Sequence, residues 1–429
     1  SGLGYPYPEQ KDYLVWSREP HTLYILNPQT GQTAGTPGEN NLSFRLGALT
    51  GTGGINAIPY VRALSKIDFG IYNYFLTTRD RDHDGIDMDG IEFFLSRGDS
   101  PEYSPSTDLY RTLAGFGAEY AIWWADLSDL RKRLGEVRYG AQDGPWVRFI
   151  TQKDNITGVG AGSFTQKMYG INLGFDHIAT QDEDRMWLLG GNIKYANANQ
   201  KIRHSEYGRG DIHNWGMNLY ATYANQSGYY SDLVFTLDHY ERKARTSMLD
   251  QTPVSGKWHN YGIGASIEVG KMFSSTQDDE GWGPWYNHWW IEPQAQLAYY
   301  HINGKSFTLS NGLKADQGDI DFLTGRLGVV IGRKFNYRKD RTEVDKRYSQ
   351  FYIKGGIKHE FLGEQKLWVS DGADRVDFRG SLESTRVYYG AGFDWNLTDQ
   401  MRLYAQVERE SGDKYRKDYE ISAGLKWQF

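Results

Sequence analysis

The chain has 429 residues, a net charge of −6 and no cysteine. Its mean hydropathy of −0.66 and the lack of any apolar run near the roughly 18 residues that a membrane helix needs exclude a helical membrane protein. A β-barrel stays open, because alternating strands average to a hydrophilic value. Charge spread along the whole length speaks against a nucleic-acid partner, and 15% aromatics with 31 Tyr, 14 Trp and 50 Gly are unusual for a soluble protein.

The length predicts two or three domains. Lack of cysteine suits a chain that crosses an oxidising compartment before it folds. Ser1 is followed by neither a basic start nor an apolar core of the signal-peptide kind, so an exported precursor is expected to begin upstream.

Residues 1 to 103 are rich in Gly, Pro and Asp, and short apolar runs between turn formers predict short strands. Tyr72 to Leu76 and Ile91 to Leu95 read as a hairpin around an acidic turn. In that turn Asp80, Asp82 and Asp84, with Gly85, resemble a calcium loop. Its twelfth position is Ile91 rather than a bidentate acid, so an acidic turn is favoured over a metal site and no cofactor is expected.

From about Ser104 to Arg138 the period becomes helical. Ser106 can cap the start, Leu109, Leu113, Phe116 and Tyr120 recur at three- and four-residue steps, and Leu127, Leu130, Leu134 and Val137 form a second face. Gly115, Gly117 and Gly135 weaken the helix without overturning it.

From Gly144 onward the period is two. In the last strand Tyr419, Ile421, Ala423, Leu425, Trp427 and Phe429 alternate with Glu420, Ser422, Gly424, Lys426 and Gln428. Twelve such strands are predicted, near 145–153, 167–178, 185–196, 212–224, 229–241, 257–271, 287–301, 321–335, 348–361, 385–397, 400–410 and 418–429. Most match the roughly 9 to 11 residues that a tilted strand needs to cross a bilayer, which favours a transmembrane barrel over a large soluble sheet. With the first strand starting in the periplasm, the external connections come out longer on average than the periplasmic ones, the asymmetry of outer-membrane barrels. Trp146, Trp187, Trp215, Trp258, Trp285, Trp289, Trp395 and Trp427 lie near strand ends and are expected in interface girdles.

Leu130 to Arg138 (LRKRLGEVR) followed by Gly144-Pro145-Trp146-Val147-Arg148-Phe149 resembles a segment of the monomeric type Va autotransporters: a basic helix just before an aromatic first strand that bears Arg. Trp290 to Leu297, Leu323 to Gly328, Tyr389 to Gly392 and the aromatic terminus are similar in the same order. The resemblance covers roughly residues 60 to 429. It implies an all-β fold: a 12-stranded antiparallel transmembrane β-barrel with an N-terminal α-helix in its pore, preceded by a short β-helix or hairpin passenger remnant. The divisions would be the end of a passenger at 1–103, a linker and pore helix at 104–143, and the translocator barrel at 144–429.

The implied function is to anchor in the bacterial outer membrane and export or display a passenger, with the N-terminal region at the cell surface. The implied partners are the lipid bilayer, the barrel-assembly machinery and the chain's own passenger, and the implied state is a monomer. By alternation Asp176, Asp238, Glu268, Glu292, Glu360, Glu408 and Glu420 face the pore, where they are expected to hold the basic cluster Arg131, Lys132, Arg133 and Arg138. The resemblance implies that Phe429, with Trp427 and Leu425 on the same face, is the assembly signal. Some members cut themselves at an Asn-Asn pair whose matching positions here are Ser128 and Asp129, so Asn cyclisation is unavailable and no cleavage is expected there. A passive porin has little reason to carry the N-terminal hundred residues and a basic helix. A hydrolase barrel would need a nucleophile beside a base, and the ten His are scattered.

Overall fold

A computed structural model describes residues 43–50, 67–80, 90–97, 102–127, 129–131, 143–158, 162–182, 184–203, 205, 207–249, 251–274, 288–335, 349–372, 374–398 and 400–427. Lys132, Arg133, Arg138, Asp82, Asp84, Trp285, Ser128 and Phe429 lie outside them.

The N-terminal part forms a four-stranded sheet of order β1-β4-β3-β2, built from β1 (Ser43–Thr50), β2 (Ile67–Phe69), β3 (Tyr72–Asp80) and β4 (Gly90–Ser96). The hairpin read from the sequence is β3 against β4, antiparallel, with Leu76 opposite Leu95. Gly70, at φ +57°, makes the tight turn between β2 and β3, and a Cβ there would lie 2.6 Å from an Asp371 carboxylate oxygen. Only glycine meets both demands.

Helix α1 (Pro105–Leu113) follows, then α2 (Gly117–Leu127). The cap is Ser104, not Ser106. The Ser104 hydroxyl accepts the Thr107 amide, Pro105 occupies the first helical position, and Ser106 is buried within the first turn. Proline there wastes no hydrogen bond, a signal that the apolar spacing alone did not carry. The break at 114–116 coincides with Gly115 and Gly117. Every residue of α2 is buried, as suits a helix surrounded on all sides.

Twelve strands close into one antiparallel barrel: β5 (Gly144–Gly158), β6 (Gly162–Gln181), β7 (Arg185–Ile202), β8 (Arg209–Asn225), β9 (Tyr229–Ser247), β10 (Pro253–Lys271), β12 (Trp289–Ile302), β15 (Ile320–Phe335), β16 (Ser349–Glu360), β19 (Ser384–Asn396), β20 (Met401–Ser411) and β21 (Tyr415–Trp427). Pairing of β21 with β5 and of β10 with β12 completes the ring, which leaves no sheet edge open to lipid. The short β11 (Phe273–Ser274) pairs with β12. All twelve predicted strands are present, and several run longer than expected. β9, for example, continues past the predicted 241 to Ser247, because ladder hydrogen bonds persist where the apolar alternation stops.

Outward positions such as Leu173, Ile193, Leu219, Leu233, Ile263, Leu327, Ile353 and Ile421 are exposed, while the alternate residues are buried. Small inward glycines receive aromatic rings from strands nearby in the ring. A Cβ on Gly174 would strike the Trp146 indole, and one on Gly328 would strike the Tyr388 hydroxyl. Part of the high glycine content therefore makes room for rings in a narrow lumen.

The sequence reading missed a third sheet. At one end of the barrel the connections 303–319 and 361–383 fold into β13 (Lys305–Thr308), β14 (Lys314–Gln317), β17 (Glu364–Ser370) and β18 (Arg375–Ser381), which pair in that order. Leu309, Leu313, Leu367, Val369 and Phe378 from this loop sheet share one apolar cluster with Ile71, Tyr72, Tyr74 and Tyr110.

Candidate functional site: the helix in the barrel lumen

Side chains of α2 reach the wall all around the circumference. Trp123 stacks on Tyr300 of β12, with centroids 4.3 Å apart and planes 6° apart. The Tyr120 hydroxyl meets Thr324 of β15 at 3.2 Å and accepts Arg386 of β19 at 2.7 Å. The Asp126 carboxylate takes Arg148 of β5 at 2.7 Å, Lys194 of β7 at 2.8 Å and the Asn218 amide of β8 at 2.7 Å. Arg242 of β9 meets Glu119 at 2.6 Å, and Lys354 of β16 meets Asp129 at 2.5 Å. A buried charge is tolerated best when it is paired; Glu119 and Asp126 on α2, and Asp129 just beyond it, each face a basic side chain of the wall.

The break between α1 and α2 is covered in the same way. The Gln365 amide donates to Ala114 O at 3.1 Å and its oxygen accepts the Phe116 amide at 3.0 Å, while Gln317 donates to the same Ala114 carbonyl at 2.6 Å. Both glutamines come from the loop sheet, so the end of the barrel that carries that sheet also fixes where the helix bends.

Of the expected acidic wall, Glu292 grips Arg131 through two bonds, at 2.6 and 3.1 Å, and Glu268 accepts the Leu130 amide at 3.2 Å. The other five have wall partners. Asp176 binds Lys426 at 2.5 Å, Asp238 binds Lys194 at 3.0 Å, and Glu360 accepts Thr324 at 2.6 Å. Glu408 binds Lys354 at 2.7 Å and Lys358 at 3.2 Å, and Glu420 pairs with Lys417. The complementarity thus runs both ways. Sequence reasoning missed Glu119 and Asp126 on α2, Asp129 just beyond it, and Arg148, Lys194, Arg242 and Lys354 on the wall. The signal for the wall bases was available: each stands on the same inward alternation as the acids.

Two tryptophans expected in girdles face inward instead. Trp146 donates to Asp176 at 3.1 Å, and Trp258 stacks on Phe307 at 4.2 Å. Each belongs to the buried face of its strand, and position near a strand end does not by itself say which face a residue takes. Trp187, Trp215, Trp395 and Trp427 are 41 to 57% exposed and point outward. Leu425 is half-buried on that outward face, and Asp80 closes β3.

A family profile described as autotransporter beta-domain matches residues 145–408. Pertactin autotransporter from Bordetella bronchiseptica is 30% identical over 331 residues, 76% of this chain and 33% of that protein. BrkA autotransporter from Bordetella pertussis is 28% identical over 72% of this chain and 28% of its own length. The chain therefore spans about a third or less of these relatives. Among solved structures, the beta domain of the Bordetella autotransporter BrkA superimposes with a TM-score of 0.53 at 26% identity, covering 67% of this chain and all of that domain. The translocator domain of autotransporter NalP from Neisseria meningitidis has the same TM-score at 11% identity over 76% of this chain and 98% of its own, and shows the fold alone. The chain belongs to the autotransporter family, and its closed barrel is an outer-membrane translocator of the kind through which a passenger is exported.

Proposed function

We propose that the helix α1–α2 is a tether held in the lumen, and that the chain ahead of it is displayed at the end of the barrel bearing the loop sheet, on the cell surface. The observation that carries this is the pairing of Glu119, Asp126, Asp129 and Arg131 with opposite charges on the wall. A helix merely resting against a barrel would not bury its charges against strands on every side. Ile71, Tyr72, Tyr74 and Tyr103 share an apolar cluster with the loop sheet, and Arg97 meets Asp374 at 3.3 Å. On this reading the segment up to 103 is the end of the passenger, seated on the mouth it left by.

The barrel acts as a monomer and has no catalytic role of its own. Lys132, Arg133 and Arg138 belong with Arg131 to the basic cluster that serves the tether. Leu425, Trp427 and Phe429 at the terminus are the signal read by the assembly machinery. Asp80, Asp82 and Asp84 are an acidic stretch of the chain rather than a calcium site.

An epitope inserted between Ser310 and Gly312, in the β13–β14 turn, tests the orientation: antibody should label intact cells. A folded reporter fused ahead of Ser1 should also reach the surface, and deletion of 105–131 should abolish its display. Labelling only after the outer membrane is broken would overturn the orientation, and undiminished display without the helix would overturn the tether.

A further inference from the structure

The apolar belt stops short of the loop-sheet ends of β6 to β10. On the same outward face, beyond Tyr169, Tyr195, Trp215 and Tyr261, stand Lys167, Lys201, Arg209, Lys243, Arg245 and Lys257, all exposed. The ladder sets them beside one another: Lys201 is opposite Arg209, Arg209 opposite Arg245, and Lys243 opposite Lys257. Like charges directly opposite are unfavourable in a sheet. On this face Asp211 lies 3.7 Å from Arg245, and Glu241 is the other acid among these strand ends. The strands that follow β10 round the ring differ. The loop-sheet ends of β12, β15 and β16 carry His301, Asp321 and His359 outward, with His301 and Asp321 paired at 2.9 Å.

Successive outward positions are roughly 6.8 Å apart along a strand. Lys257 stands two positions past Tyr261, which at a tilt of about 40° lifts its base roughly 10 Å above the aromatic ring. A ligand that satisfies this face must lie against Leu173, Leu219, Leu233 and Ile263 and present several anionic groups about one headgroup higher. We propose that the outer face of β6–β10 is a binding site for a phosphorylated glycolipid of the surrounding leaflet, its acyl chains on the apolar belt and its phosphates among these six bases. Aromatic rings mark the level of the interface, and basic residues just beyond it attract anionic headgroups. The inference rests on the barrel spanning a bilayer with the loop-sheet end external, as proposed above.

The test uses the full chain in neutral detergent with added lipid A, followed by native mass spectrometry. The wild type should retain bis-phosphorylated lipid A roughly tenfold or more over the dephosphorylated lipid, the order expected when several near-surface bases act together. Inorganic phosphate at equal phosphate concentration should not displace it, which separates a lipid from a free anion. The triple variant Lys243→Gln, Arg245→Gln, Lys257→Gln should lose the preference, whereas Arg409→Gln with Arg416→Gln, on β20 and β21, should keep it. Equal retention of both lipids by the wild type would overturn the proposal even if the triple variant failed to fold. So would an undiminished preference in a folded triple variant. Surface labelling at Ser310 reads orientation separately, so failure of the lipid preference and failure of the orientation are distinguishable.

Discussion

Arg131 lies over the Trp290 ring, its guanidinium carbon 4.3 Å from the centroid, while two of its nitrogens fork onto Glu292. The pair is buried just past the end of α2, away from the loop sheet. Removing one partner of a buried pair strands the other charge, which costs about 3–5 kcal/mol, whereas replacing both by apolar residues is close to neutral. Glu292→Ala should therefore lower the temperature at which the folded barrel loses its compact gel mobility, and Arg131→Met with Glu292→Met should recover most of the loss. Equal losses in the single and double variants would show that the pair does not hold the helix. Charge reversal at Arg131 should also raise ion conductance in planar bilayers.

Gly328 and Tyr388 make a second kind of joint. A methyl at 328 collides with the phenol oxygen, while the ring carbon that bears it is 3.2 Å away. Gly328→Ala should destabilise the barrel by about 1–3 kcal/mol, as overpacking does. Tyr388→Phe removes the colliding atom and should restore much of that stability in the double variant. Thermal melts of the four proteins give the coupling; additive effects would mean that the ring does not seat on this glycine.

The barrel was legible in the sequence because one face of each strand had to be apolar, and a period of two survives in the residue string. Ile421, Ala423 and Leu425 announce the strand and its lipid face together. The partners in the lumen were less legible. Alternation says that Lys194 and Asp238 point inward, but not that Lys194 also reaches Asp126 on the helix, since that depends on the rotation of α2 within the ring. Arg131 with Glu292 was one choice among many opposite pairs. The loop sheet was missed because β13, β14, β17 and β18 are short, and Lys305 to Thr308 has no apolar alternation to betray it. Trp146 and Trp258 misled for a related reason: a polar lumen accepts an indole that finds an acceptor or a ring.

Gln365 bridges the helix break by both ends of its amide. Replacing it with Ala leaves the Phe116 amide without this acceptor, while the Ala114 carbonyl keeps Gln317. An unmet buried donor costs about 1–3 kcal/mol. Gln365→Ala should thus speed hydrogen exchange at Phe116 far more than at Tyr120, whose amide bonds to Phe116 O at 3.0 Å within the helix. Uniform acceleration along α2 would point to general loosening instead.

At the other end of the barrel, Asp143 accepts the Ile178 amide at 2.7 Å and faces His177 Nδ1 at 2.8 Å. The Ile178 hydrogen bond first, and then His177, hold its carboxyl below the usual aspartate range. A depressed carboxyl pKa contributes stability that is present above the ordinary aspartate value and is lost as pH falls through the lowered one. The contact should therefore persist at pH 5 and fail only in stronger acid. The Ile178 amide resonance should move with an apparent pKa below that of an exposed aspartate, and Asp143→Asn should erase the transition. Midpoints at or above the ordinary value would mean that the carboxylate is not held by this amide in solution.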